Sequence, residues 1–126
     1  MITAAFILVA VQIIVSLFQL ALVLGAPMGE YTLGGQTQGK LSVKLRFVSS
    51  ISLLLNLAIA GHYLAQTGTI QTLLPSDLNQ IANWGLVVFT AGGLVMNSIS
   101  RSKKERKMWV PVLLLSLTCA VVVAIG

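Results

Sequence analysis

Ser100-Arg101-Ser102-Lys103-Lys104-Glu105-Arg106-Lys107 is the stretch that decides the fold. It carries five of the eight basic residues in a chain of 126, and long uncharged runs flank it on both sides. Only 9% of the chain is charged, 56% is hydrophobic, and the mean hydropathy is +0.94. A soluble domain carries about 25% charged residues. This chain has too little charge to cover a soluble surface, so the composition specifies an integral membrane protein of one domain.

Outward from the basic stretch, the uncharged runs divide into spans of the ~20 residues that a bilayer-crossing helix needs. Residues 2–25 form the first, ended by Gly25 and Pro27. The run has no basic residue before it and is longer than the apolar core of a signal peptide, so a retained helix is expected. The uncharged run from Phe47 to Ser76 would exceed the ~30 Å hydrocarbon core if wholly helical. Gly68 is the natural stop, which places the second helix at 46–67. Ser76 reads as an N-cap, with Asp77 in the first turn where the helix dipole favours an acid. The third helix is then expected at 77–100, and the fourth at 108–126, after the basic stretch, with Pro111 in its first turn. The expected fold is all-α, an antiparallel bundle of four transmembrane helices.

All eight basic residues fall in or beside the first and third connections: Lys40, Lys44 and Arg46, then Arg101, Lys103, Lys104, Arg106 and Lys107. Those connections share one side in any four-pass topology. The positive-inside rule makes that side cytoplasmic in a cell (inner) membrane, with both termini outside. Carrying five cations of one short connection across a bilayer costs about 2.5–3.5 kcal/mol each, so inversion is opposed by more than about 10 kcal/mol. The pI of about 9.9 therefore reports topology, and nucleic-acid binding is not expected, since no basic helix face interleaved with aromatics exists.

With no charge inside the spans, uncharged polar residues must carry any chemistry there. Gln12, Ser16 and Gln19 share a face of the first helix. Ser52, Asn56 and Tyr63 share one of the second, Asn83, Thr90 and Asn97 one of the third, and Ser116 and Cys119 one of the fourth. Amides turned to lipid lack partners, so each stripe should face the other helices. The plainer reading is interhelical glue at ~0.6 kcal/mol per bond. The functional reading is a small intramembrane binding cavity lined by Gln12, Gln19, Asn56 and Asn97. Gly85, Gly92 and Gly93 offer sites of close helix approach. The single cysteine, Cys119, excludes disulfide and CxxC chemistry, and the single histidine, His62, argues against a haem or metal site; no cofactor is expected.

On the basic side, Glu30, Arg46, Glu105 and Arg106 form a candidate cluster. Glu105 among five cations reads as a solvated ion pair. Glu30 is placed to pair with Lys44 or Arg46. The long first connection, 26–45, is broken by Pro27, Gly29, Gly34, Gly35 and Gly39.

Two stretches carry a resemblance: Gly25-Ala26-Pro27-Met28-Gly29-Glu30-Tyr31 followed by Gly34-Gly35 and Arg46, and Asn97 followed by Ser100 to Arg106, Trp109 and Pro111. With the four-span layout, the chain resembles a family of small uncharacterised bacterial four-helix integral membrane proteins. The resemblance covers nearly the whole chain and implies no activity, so no catalytic residue is carried over. It does imply that the first connection and the start of the last helix act together, with Glu30 contacting the basic stretch and Arg106 a named partner.

Three functional classes follow. The first is a non-enzymatic module binding a lipid-like small molecule or a membrane partner. The second is a small transporter or channel subunit working as a homo-oligomer. The third is a lipid-headgroup enzyme at the cytoplasmic face using Glu30, which lacks a supporting His, Asp or Cys constellation. Drug antiport of the small-exporter kind needs a carboxylate in the first helix, and this one has none. The first class, with membrane lipids as partners and without enzymatic activity, is the expectation.

Overall fold

A computed structural model describes residues 1–126. The chain is a bundle of four helices, α1 (Ile2–Val23), α2 (Val43–Gln66), α3 (Ser76–Ser98) and α4 (Lys103–Ile125), without strands. Each is 22 to 24 residues, long and apolar enough to cross a membrane. At 1.5 Å per residue these lengths correspond to about 33–36 Å.

Local chemistry sets the ends. Past α1, Gly25 adopts φ +95°. The Gly25 N–H reaches Leu22 O at 3.1 Å and the Ala26 N–H reaches Ala21 O at 2.9 Å. This is a Schellman closure, which a residue with a Cβ resists. Gly68, at φ +82°, follows the α2 C-cap Thr67 and donates to Ala65 O at 3.2 Å, while the Thr69 N–H turns to Thr67 Oγ1. Ser42 caps α2 by accepting the Leu45 N–H.

Several expected boundaries differ: α1 ends at Val23 rather than 25, α2 begins at Val43 rather than 46, and α3 ends at Ser98 rather than 100. Ser76 is not the cap of α3; Pro75 holds that position, and no side chain bonds the first turn. More consequentially, α4 begins at Lys103, not at residue 108. Ser102 is its N-cap and Glu105 its third residue, an S-x-x-E capping box. Most of the basic stretch is therefore the opening turn of a helix. Charge bars residues from hydrocarbon, not from helix, so the span that fits the bilayer is shorter than the helix. Pro111 consequently lies inside α4, where it leaves the Lys107 carbonyl without its usual donor.

The helices pack as an open arc in the order α2, α1, α4, α3. α1 packs on α2 and α4, and α3 on α4, whereas α2 and α3 scarcely approach each other at the backbone. Only 20 of 126 residues are buried, so most apolar side chains face outward, as lipid allows. At the end opposite the basic residues, Ala4, Ala5 and Leu8 meet Ile59, Tyr63, Cys119, Ala120 and Val123. Alanines bring these helices together. The glycines of α3 do not: an added Cβ at Gly85 or Gly92 would meet nothing within 4 Å, and at Gly93 only Leu113 at 3.8 Å. At the basic end a second cluster joins Phe18 and Leu22 to Leu41, with Tyr31, Leu45 and Trp109 packed on it.

Candidate functional site

The first connection folds back on itself and docks against the start of α4. It makes two 3-10 turns, Gly29–Tyr31 and Leu33–Gly35. The Gly29 N–H bonds Gly39 O at 2.8 Å, and the Gly39 N–H bonds Glu30 Oε2 at 3.1 Å. Three ties then cross to other elements. Ser102 Oγ donates to Glu30 O at 2.5 Å, Trp109 Nε1 donates to Tyr31 O at 2.8 Å, and Arg46 Nε donates to Val23 O at 2.9 Å.

This arrangement corrects the expected ion pairs. Glu30 pairs with neither Lys44, Arg46 nor Arg106; its cation is Lys104, at 3.9 Å and largely exposed. Arg46 instead closes the α1 C-terminus through the Val23 carbonyl, and Arg106 Nη1 donates to the Ser100 carbonyl. The Gly39 amide above all, then the Glu30 backbone amide, with Lys104 a lesser cause, holds the Glu30 carboxyl below its ordinary value of 4.5. Glu30 and Arg46 thus serve different joints, and the surface pocket that Glu30 lines holds Arg101, Lys103 and Lys104 but not Arg46.

Glu105 is not a solvated ion. It is 7% exposed and buried behind the first connection. Its Oε2 accepts from Ser100 Oγ at 2.8 Å, and Ser100 Oγ accepts the Ser102 N–H at 3.1 Å. The capping box is completed through Ser100 as a relay rather than directly.

Above Glu105 lies a cavity of about 210 Å³ between all four helices. Gln12 and Gln19 enter it from α1, Asn56 from α2, Thr90 and Asn97 from α3, and Glu105, Trp109 and Ser116 from α4, with Tyr31 and Thr32 of the first connection also lining it. The four amide residues singled out from the sequence therefore come together in one place. Asn97 Nδ2 donates to Gly93 O, while Thr90 and Ser116 bond their own helix carbonyls. Gln12 Oε1 is buried and accepts from no group in the chain. Four aromatic rings, Phe18, Tyr31, Phe89 and Trp109, complete the wall. Sequence pattern alone does not distinguish them, because an aromatic beside or within an apolar helix carries the same signal whether it faces lipid or a cavity. Trp109 meets Phe18 edge-on at 4.9 Å and 69°.

Phe89 also lines a second, apolar groove of about 440 Å³, where α2 and α3 stand apart, with Leu55, Ala58, Ile59, Ala82, Gly85 and Leu86. His62 borders that groove and belongs to a separate polar knot. It shares a 2.7 Å hydrogen bond with Asn83, while Gln66 and Asn79 exchange two amide bonds of 2.8 Å. Asn83 thus leaves the stripe it shares with Thr90 and Asn97 and ties α3 to α2 near the end opposite the basic residues.

No family model, curated protein or solved structure matches this chain. The class rests on the fold alone: an all-α four-helix bundle fitted to multiple membrane passes.

Proposed function

We propose that the protein is a non-enzymatic membrane module that holds one small amphiphile. The polar head sits in the amide-lined cavity, and the apolar tail lies in the α2/α3 groove. The observation that carries this is adjacency: a polar cavity and an apolar groove share Phe89 as a common wall. In a medium without water, uncompensated amides are costly. Gln12, Gln19 and Asn56 have no side-chain hydrogen bond within the chain, so a ligand head supplies what interhelical glue would otherwise supply.

Native mass spectrometry of the protein in mild detergent tests this. Wild-type protein should retain one amphiphile per chain. Gln12→Leu with Asn56→Leu should weaken retention by about fivefold to a hundredfold in affinity, as expected for two lost hydrogen bonds of ~0.5–1.5 kcal/mol each, with helix content unchanged. A wild-type protein carrying nothing, or a double variant carrying as much, refutes the reading.

We further propose that the basic end faces the cytoplasm of a cell membrane, because all eight cations lie there. Reporter tags at the two chain ends should both read as external. A cytosolic signal from either end overturns this orientation.

A further inference from the structure

We infer that the head held in the cavity is a small organic cation, an ammonium group, with Glu105 as its counter-charge; this rests on the amphiphile reading above. Glu105 is the only charged residue lining the cavity. It is 7% exposed, and no lysine or arginine nitrogen lies within ion-pair distance of it, the one such pair in the structure being Glu30 with Lys104. Its capping role uses a single oxygen: Oε2 takes the Ser100 hydroxyl, and Oε1 accepts nothing from the chain. Oε1 keeps some accessible surface, so a cation entering the cavity can reach it, and pairing satisfies a carboxylate that has no cation of its own.

The rest of the wall has the matching chemistry. Aromatic rings attract cations through their quadrupoles, indole most strongly. The indole of Trp109 is held in place by Tyr31 O and by Phe18. Gln12 Oε1, a buried acceptor lacking a donor, suits an N–H-bearing head. The basic residues flanking Glu105 do not line the cavity, and Arg106 is turned to the Ser100 carbonyl. At about 210 Å³ the cavity is below the ~300 Å³ at which drug-sized sites begin, so it accepts a head and not a whole large molecule.

The shared chemistry, a primary ammonium, can come from a free alkylamine or from an aminophospholipid head. The test is a titration of Trp109 fluorescence in Trp84→Phe protein held in phosphatidylcholine nanodiscs. The probes are hexylammonium, 1-hexanol and hexanoate. Hexylammonium should bind saturably and at least about tenfold more tightly than the other two, and Glu105→Gln should erase that preference. Glutamine keeps an acceptor for Ser100 and remains a capping-box residue, so the cap survives. Should that variant nonetheless misfold, the wild-type probe series decides alone. Equal binding of hexanol overturns the cation assignment and leaves the amphiphile reading standing, as does preference for hexanoate. Absence of saturable binding by any probe overturns both. With the preference established, competition by phosphatidylethanolamine nanodiscs identifies the lipid head as the source, and its absence identifies a free amine.

Discussion

Gly35→Ala should detach the first connection from α4 and destabilise the protein by about 2–5 kcal/mol. Two effects act at this position. Gly35 has φ +74°, a left-handed backbone that disfavours an L side chain. A Cβ there would also fall 2.5 Å from Ser102 Cβ and 3.3 Å from Ser102 Cα, so the clash is against the helix N-cap itself. Ser102 cannot withdraw without losing its bonds to Glu30 O and the Glu105 N–H. Gly34 is the internal control. It has φ +71°, yet a Cβ there would meet nothing within 4 Å, so Gly34→Ala should cost only the backbone part, about 1–2 kcal/mol. Thermal unfolding of both variants in detergent, followed by circular dichroism, measures the difference. Equal melting temperatures would show that the contact with Ser102 contributes nothing.

Trp109→Ala should be comparably severe, about 3–5 kcal/mol. The ring fills the junction between α1, α4 and the first connection, and its N–H is the only side-chain donor to Tyr31 O. Removing it enlarges the cavity and frees the connection at once. Trp109→Phe helps separate the two contributions, because it keeps one aromatic ring at the junction while deleting the hydrogen bond, worth about 0.5–1.5 kcal/mol, together with part of the indole volume. Urea or thermal denaturation should rank wild type above the phenylalanine variant and the alanine variant well below both. A phenylalanine variant as unstable as the alanine one would assign the stability to the hydrogen bond and the full indole volume and not to an aromatic ring alone.

The two predictions concern one joint, and that joint is also the floor of the cavity. Tyr31, Glu105 and Trp109 belong to both. Loosening the first connection should therefore alter whatever the cavity holds, although Gly35 does not line it.

The sequence by itself determined the number of helices, the placement of all cations at one end, and the inward turn of Gln12, Gln19, Asn56 and Asn97. Each follows from a local rule: hydrocarbon excludes charge, and it leaves an outward amide without a partner. The start of α4 was also legible, in the Ser102 to Glu105 capping pattern, but hydropathy obscured it by treating charge as loop. Only the tertiary structure decided that α2 and α3 stand apart, that Glu105 turns from the cations to the cavity, and that the first connection latches onto α4. The latch bonds join Glu30 to Ser102 and Tyr31 to Trp109, more than 70 residues apart along the chain. Their acceptors are main-chain carbonyls, which every residue possesses, so no pattern of side chains could announce them.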